Sequence, residues 1–329
     1  MAERRHRTEQ VNGIRLHCVE TGWEHGPGKL VLLVHGFPES WYSWRHQLDA
    51  LADAGYRAVA IDVRGYGRSS APTAIEAYRM TQHVRDNVAL VEALGEKSAT
   101  IVGHDWGAPI AWTSAWLRPD VFTAVAGLSV PFSPAGPTRP SDAFRAMGGD
   151  EEFYIEYFQE PGRAERELEA DVRAWLLGFY YSISGDAPSM FVGTGTVGSI
   201  PHGALMKDRF SYPDDGAWPT WMTEDDLEFY VGEFERTGFT GGLNRYRNVD
   251  RDWEDLSVFS GRPIEVPALF IGGTLDGPTL WGAPAIERFP TTLPHLHRSI
   301  ILEGCGHWTQ QERPAEVNEA LLEFLAAVN

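Results

Sequence analysis

The chain contains little cysteine and is short of basic residues. Two cysteines among 329 residues, Cys18 and Cys305, cannot build a disulfide framework, so we expect a protein of a reducing compartment and place it in the cytoplasm. Lysine and arginine together number 28 against 46 aspartates and glutamates, a formal net charge of −18. Because so acidic a surface repels phosphate groups, we expect no binding to nucleic acid or to a membrane surface.

Long apolar runs and metal-ligand patterns are also missing. No stretch reaches the ~18 apolar residues of a membrane-spanning helix. No apolar segment follows the basic residues near the N-terminus, so we expect neither an anchor nor a signal peptide. The histidines show none of the spacings typical of metal ligands, and we expect no metal and no other cofactor. Aromatic residues, by contrast, make up 12% of the chain, which fits either a well-filled core or an aromatic-walled ligand pocket.

Apolar, β-branched segments alternate with amphipathic ones, and this alternation predicts an α/β fold with a mostly parallel sheet covered by helices on both faces. The predicted buried strands cover residues 30–35, 58–63, 100–103, 121–128, 268–272 and 299–302. The predicted helices cover residues 40–54, 81–94, 108–117 and 315–328. Residues 7–11 and 14–20, separated by Asn12-Gly13, predict an antiparallel hairpin at the start of the sheet.

The alternation of strands and helices stops between residues 132 and 262. Segments rich in proline, glycine and serine bound this interruption, so we predict a core domain over residues 1–131 and 263–329 with a helical lid inserted between them. Helices are predicted in the lid over residues 151–159, 163–181 and 224–236, the last with Thr223 as its N-cap. The Gly-rich stretch over 191–221 is long for a plain connection and predicts a functional lid loop.

The strongest local motif is GHDWG, residues 103–107, which follows a predicted strand and precedes a predicted helix. Small residues two before and two after the central position permit a sharp turn that raises the central side chain above the sheet. Here that residue is Asp105, and aspartate tolerates a strained backbone better than most residues do. The motif predicts that Asp105 is a nucleophile.

Three further segments lie at the carboxyl ends of predicted strands. Residues 35–38, with the sequence HGFP, place backbone N–H groups where an oxyanion hole requires them. Asp276 follows the strand predicted over 268–272, and His307 follows the strand predicted over 299–302. The chain order of nucleophile, acid and histidine resembles that of the α/β-hydrolases. We therefore predict a triad of Asp105, Asp276 and His307.

An acid nucleophile implies a reaction different from that of a serine hydrolase. A carboxylate with a pKa of ~3.9 is ionised at neutral pH and can attack a saturated carbon without the help of a base. The product is an alkyl ester on Asp105. Water activated by His307 then hydrolyses that ester, while Asp276 orients the imidazole. Esterase or lipase chemistry is disfavoured because the chain has no G-x-S-x-G motif.

Several segments together resemble the soluble epoxide hydrolases of the α/β-hydrolase superfamily. They are HGFPESW (35–41), RGYGRS (64–69), GHDWG (103–107) and CGHWTQ (305–310). Within the lid, YFQEPG (157–162) and NRYRN (244–248) resemble the two tyrosine-bearing segments of that family. The resemblance extends from about residue 10 to about residue 325.

The resemblance implies roles for further residues. Tyr154 and Tyr246 are the expected lid proton donors to the epoxide oxygen, with Tyr157 as the alternative to Tyr154. The backbone N–H groups of Phe37 and Trp106 are the expected oxyanion donors. The residues expected to line the substrate pocket are Phe37, Pro38, Trp106 and Trp308. The expected partners are a small, neutral, apolar epoxide and water, and relatives in this family also suggest a homodimer formed through the lid.

Two other classes of function are open at this point, a dehalogenase and a non-catalytic ligand-binding protein. A haloalkane dehalogenase uses the same aspartate nucleophile, but it typically carries a side-chain halide donor where this chain has Phe37. A fluoroacetate dehalogenase would have arginine in place of Trp106. A non-catalytic ligand-binding protein of this fold would need neither the triad nor the lid tyrosines. The residues therefore favour an epoxide hydrolase.

Overall fold

The computed structural model describes residues 2–26, 28–187, 198–214 and 217–328. Part of the lid loop predicted over 191–221 lies outside these ranges. Among the helices within them, none is long and apolar enough to cross a membrane.

Most strands of the fold belong to one eight-stranded sheet. The strands are β1 (Arg5–Val11), β2 (Ile14–Thr21), β3 (Leu30–Val34), β4 (Arg57–Ile61), β5 (Ala99–His104), β6 (Phe122–Leu128), β7 (Glu152–Phe153), β8 (Ser199–Ile200), β9 (Ala268–Gly273) and β10 (Leu296–Leu302). The order in the large sheet is β1-β2-β4-β3-β5-β6-β9-β10, while β7 and β8 form a small separate pair. The predicted hairpin and all six predicted strands are confirmed, with ends that differ by no more than three residues.

The strands from β3 onward in the large sheet run parallel, and β2 is antiparallel to both of its neighbours. All five residues of β3 are buried, as expected for a central strand that is covered by helices on both faces. Parallel strands end at the same edge of a sheet. The carboxyl ends of β3, β5, β9 and β10 therefore lie close together, and each is followed by one of the predicted site segments.

Helices cover the sheet and build the segment between β6 and β9. They are α1 (Arg45–Asp53), α2 (Met80–Ala93), α3 (Gly107–Leu117), α4 (Pro140–Gly148), α5 (Tyr154–Tyr157), α6 (Arg163–Leu168), α7 (Val172–Ser182), α8 (Glu224–Thr237), α9 (Thr240–Tyr246), α10 (Val249–Leu256), α11 (Gly277–Trp281), α12 (Ala283–Glu287), α13 (Phe289–Thr292), α14 (Thr309–Glu312) and α15 (Pro314–Val328). The four predicted core helices are present, although the first begins as a 3₁₀ turn before α1.

Two of the predicted lid helices are wrong in extent. The segment predicted as one helix over 163–181 forms α6 and α7, because the Asp171 side chain accepts a hydrogen bond from Ala174 N–H and starts a new helix there. The helix predicted over 151–159 is shortened to α5, because Glu152 and Phe153 pair with β8 as a strand. The Thr223 cap of α8 is confirmed, with its hydroxyl accepting from the Asp226 N–H at 3.2 Å.

We call residues 132–262, which contain α4 to α10, the lid; the division of the chain into core and lid at these boundaries stays a prediction. The lid covers the carboxyl edge of the sheet through an aromatic cluster around Phe37. Its ring meets the ring of Tyr246 edge-on at 5.3 Å between centroids and that of Phe158 at 5.7 Å. The rings of Trp175, Phe179 and Phe239 lie within 6.5 Å of it. Part of the aromatic excess of the sequence thus lies where the lid meets the core.

Candidate active site

The turn between β5 and α3 holds Asp105 in a backbone conformation that side chains rarely adopt, with φ at +50°. The glycines on either side are required by space. A Cβ on Gly103 would lie 1.9 Å from the carbonyl oxygen of Gly107, and a Cβ on Gly107 would lie 2.0 Å from that of Val34. Glycine is therefore needed at both positions of GHDWG because a larger residue would overlap the neighbouring backbone, as the sequence analysis predicted for small residues at this turn.

The three predicted triad residues come together at the carboxyl edge of the sheet. His307 Nδ1 lies 2.8 Å from Asp276 Oδ1, and His307 Nε2 lies 3.4 Å from Asp105 Oδ2. All three side chains are buried, with residue exposures of 0 to 8%. The imidazole therefore bridges two carboxylates that are 171 residues apart in the sequence.

The second carboxylate oxygen of Asp105 faces a backbone donor. The Phe37 N–H donates a hydrogen bond of 2.7 Å to Asp105 Oδ1. A Cβ on Gly36 would lie 2.3 Å from the same oxygen, so glycine is needed for this close approach. The two oxygens of Asp105 are thus distinguished, because one accepts from the backbone while the other faces the histidine.

The two carboxylates decide the protonation of His307. Burial by itself lowers the pKa of the imidazole, but the charges and hydrogen bonds of Asp276 and Asp105 outweigh burial and raise the pKa to about 10. Burial raises the pKa of Asp105, whereas its hydrogen bond and charge interaction with His307 prevail and lower it overall. At neutral pH the candidate nucleophile is therefore a carboxylate beside an imidazolium.

Tyr154, the first residue of α5, and Tyr246, the last residue of α9, line the same small cavity as Asp105. Their ring centroids are 6.1 Å apart. Burial, followed by the charge of Asp105, raises the pKa of both phenols, so each carries its proton at neutral pH. The arrangement can deliver two O–H donors to one oxygen atom near Asp105.

Tyr157, the alternative to Tyr154, faces away from this cavity. Its hydroxyl donates to the carboxylate of Glu167, and the guanidinium of Arg163 covers its ring at 4.1 Å. It has therefore no free O–H for a ligand beside Asp105, and Tyr154 is the α5 tyrosine that can act there.

Of the four residues expected to line the pocket, one lines this cavity, one lines a neighbouring cavity, and two line neither. Trp308 is fully buried, and its indole N–H donates to the Tyr180 carbonyl at 2.8 Å. Pro38 is buried, and its carbonyl accepts from the Tyr180 hydroxyl at 2.6 Å. Phe37 does line the cavity, and the other apolar walls are Phe179, Ile183, Met206, Pro278 and Trp281. Trp106 lines a neighbouring, mainly apolar pocket that also reaches Asp105.

The chain matches the α/β-hydrolase-fold family over residues 29–314. It is 45% identical to epoxide hydrolase B of Mycobacterium tuberculosis, with 98% of each chain covered. It is also 45% identical to epoxide hydrolase A of the same organism, with 98% of this chain and 97% of the relative covered. An epoxide hydrolase from an endophytic Streptomyces is 59% identical and superposes with a TM-score of 0.92, over 98% of this chain and 96% of that one.

The chain belongs to the epoxide hydrolases of the α/β-hydrolase superfamily. These relatives do not favour the haloalkane dehalogenase or the non-catalytic alternative. The resemblance inferred from the motifs is therefore confirmed, and the substrates of this enzyme are epoxide and water.

Sequence reasoning missed residues that contact the predicted triad of this epoxide hydrolase. The Thr279 hydroxyl lies 2.6 Å from Asp276 Oδ2, and the Thr279 N–H donates to the same oxygen at 3.3 Å. Ser129, at the end of β6, places its Oγ 3.2 Å from His307 Nδ1. The Asp-x-x-Thr spacing is a helix-capping pattern that could have indicated Thr279, because Asp276 caps α11. Nothing in the local sequence indicates Ser129.

Proposed function

We propose that this epoxide hydrolase opens its substrate through a covalent ester on Asp105, with Asp276 and His307 completing a catalytic triad. The observation that carries this proposal is the unequal environment of the two Asp105 oxygens. Oδ1 already accepts the Phe37 N–H at 2.7 Å, as the carbonyl oxygen of an ester would, while Oδ2 lies 3.4 Å from His307 Nε2. Oδ2 is therefore the attacking atom.

The first step forms the ester and opens the ring. Asp105 Oδ2 attacks one epoxide carbon, a C–O bond forms, and the C–O bond between that carbon and the ring oxygen breaks with its electron pair moving to the oxygen. The developing alkoxide takes a proton from Tyr154 or Tyr246. An alkoxide is a poor leaving group unless it is protonated or hydrogen-bonded, so the two raised-pKa phenols, which keep their protons in the resting enzyme, suit this task.

The second step hydrolyses the ester. Esterification removes the negative charge of Asp105, which is one of the two charges that raise the pKa of His307, so the imidazolium can return a proton to the tyrosinate left by the first step and then act as a base. Water then gives a proton to His307 Nε2 and attacks the ester carbon. The negative charge develops on Oδ1, which accepts the Phe37 N–H, and we expect the Trp106 N–H to act as the second oxyanion donor. Collapse breaks the C–O bond to the substrate oxygen, which takes the proton from His307 and leaves as the diol. The new carboxyl group of Asp105 then gives its proton to His307, which restores the carboxylate beside the imidazolium.

The mainly apolar walls of the cavity support a small, neutral, apolar epoxide as substrate, and nothing in the proposed steps requires a cofactor. The homodimer through the lid and the cytoplasmic location stay predictions. Sedimentation of the purified enzyme at several concentrations would test the first of them.

A single turnover in ¹⁸O-labelled water tests the covalent route. With enzyme in excess over an aryl epoxide, we expect the first diol to contain no ¹⁸O, because its added oxygen comes from Asp105. The label should instead appear in the protein, on a peptide that contains Asp105, and should reach the diol in later turnovers. Mass spectrometry of the diol and of the digested enzyme measures both. Label in the first diol would indicate direct attack of water on the epoxide and would contradict the covalent ester. Absence of any diol would contradict epoxide hydrolase activity toward this substrate.

Removal of the lid hydroxyls is expected to slow ester formation. In Tyr154→Phe plus Tyr246→Phe, the alkoxide leaves without a proton donor, so alkylation should fall by about 10²- to 10⁴-fold, the usual contribution of general acid catalysis. Each single variant should lose less, because the remaining tyrosine still reaches the oxygen. Rapid-quench detection of the ester by intact mass measures these rates.

The matched control for the tyrosine variants is Tyr212→Phe, since Tyr212 is 46% exposed and does not line the cavity. It should leave alkylation unchanged. Equal alkylation rates in the double variant and the parent enzyme would show that the tyrosines do not donate the proton.

A further inference from the structure

A buried carboxylate that the proposed mechanism does not use lies five residues after His307. Glu312, the last residue of α14, is 9% exposed. Its Oε1 accepts the N–H of Trp308 at 2.9 Å, and its Oε2 accepts the N–H of Gly306 at 2.8 Å. The residues on both sides of His307 therefore donate to the same carboxylate.

The same carboxylate also binds the lid. Glu312 Oε2 accepts the N–H of Gly185, which follows α7, at 2.9 Å. Two residues earlier, the carbonyl of Ile183 accepts the N–H of His307 at 2.9 Å. The two backbones approach so closely that a Cβ on Gly306 would lie 2.3 Å from the nitrogen of Gly185. The histidine loop and the end of α7 are thus joined through Glu312 and through the backbone of His307 itself.

Three backbone N–H donors at one site require an acceptor with enough lone pairs. An ionised carboxylate has two acceptor oxygens and can satisfy all three donors. A carboxamide has one acceptor oxygen and an NH₂ group, which would face at least one of these N–H groups donor to donor. Glu312→Gln therefore keeps the volume of the side chain and removes the ability to hold all three backbone segments.

We infer that Glu312 is a positioning residue for His307 and acts on the hydrolysis of the ester rather than on its formation; this inference rests on the proposed function. Alkylation depends on Asp105, which is held by the turn between β5 and α3 and by the Phe37 N–H, and none of its hydrogen bonds involves Glu312. Ester hydrolysis depends on the position of His307 Nε2 relative to the ester carbon. A shift of the histidine loop therefore affects the second step selectively.

The test separates the two steps in Glu312→Gln. With an aryl epoxide under rapid-quench conditions, we expect an unchanged rate of ester formation and ester hydrolysis slowed by up to about 100-fold, the cost of misplacing a catalytic group by about 1 Å. The ester should then accumulate during steady-state turnover, visible as a mass increase on the intact protein. Equal loss in both steps, or no loss in hydrolysis, would overturn the inference, because a merely structural role would not single out the second step.

The controls are a glutamine substitution at one neighbouring glutamate and an aspartate substitution at Glu312 itself. Glu316→Gln, on an exposed residue of α15, should leave both steps unchanged. Glu312→Asp retains the charge and should hydrolyse the ester faster than Glu312→Gln; if the glutamine variant does not fold, the same comparison of steps is made with the aspartate variant against the parent. Absence of an ester in the parent enzyme would contradict the proposed function, whereas an ester that the glutamine variant hydrolyses at the parent rate would contradict only the role of Glu312.

Discussion

His307→Gln is expected to stop turnover at the ester on Asp105. The first step needs only an ionised nucleophile and a proton donor for the epoxide oxygen. Loss of the imidazolium raises the pKa of Asp105, but the Phe37 N–H still opposes this rise and the lid tyrosines are unchanged, so we expect the ester to form at neutral and higher pH. The second step needs a base 3.4 Å from the Asp105 carboxylate, and glutamine cannot accept a proton there. One equivalent of an aryl epoxide should therefore add its full mass to the protein, and the steady-state rate of diol formation should fall by about 10⁴-fold or more.

Intact-protein mass spectrometry, followed by peptide mapping, measures this accumulation and locates it on Asp105. The matched control is His295→Gln, because the His295 side chain is 60% exposed and lies outside the site. It should turn over normally and show no adduct. If His307→Gln never forms an adduct, the histidine takes part in the first step, and the assigned order of roles is wrong.

Asp105→Asn is expected to abolish both the ester and the diol. Asparagine is the informative replacement because it tolerates the positive φ of +50° at this turn, whereas most side chains would add backbone strain. A carboxamide is not an effective nucleophile toward an epoxide, so activity should fall by about 10⁴-fold or more with no adduct on the protein.

The same variant changes the titration of His307. Asp105 is one of the two carboxylates that raise the pKa of this imidazole to about 10, so its loss should move the pKa downward, while Asp276 still opposes the effect of burial. An NMR titration of the imidazole in parent and variant measures the shift. Asp120→Asn, at an exposed aspartate paired with Arg118, is the control and should leave the pKa of His307 unchanged. A His307 pKa that stays at about 10 in Asp105→Asn would contradict the charge coupling between the two residues.

The choice between the two tyrosines of α5 shows where the local sequence stops being sufficient. Tyr154 and Tyr157 are three residues apart on one short helix, so periodicity puts both on neighbouring faces. What distinguishes them is Glu167 on α6, which accepts the Tyr157 hydroxyl. A hydrogen-bond acceptor from another helix cannot be inferred from the spacing of the tyrosines.

The positions of Pro38 and Trp308 could not be predicted from the local sequence for a similar reason. Pro38 and Trp308 are direct neighbours in sequence of Phe37 and His307, and the resemblance to the soluble epoxide hydrolases led us to expect both on the cavity wall. Both residues instead make hydrogen bonds with Tyr180 of α7, and neither lines the cavity. Met206 and Trp281, which do line the cavity, lie in a lid segment and at the end of α11, and no motif in the sequence indicated either of them.

The amino-acid sequence by itself determined the α/β fold and the turn that carries Asp105, and it predicted the order of the proposed triad. These features depend on local sterics and on periodicity: small residues allow the turn, apolar runs form the strands, and parallel strands bring their carboxyl ends to one edge. Only the tertiary structure decided which tyrosine of α5 faces Asp105, which side chains enclose the cavity, and that Ser129, Thr279 and Glu312 contact the triad or the loop of its histidine. These contacts join elements far apart along the chain, and their geometry follows from the packing of the lid on the core, which no short segment encodes.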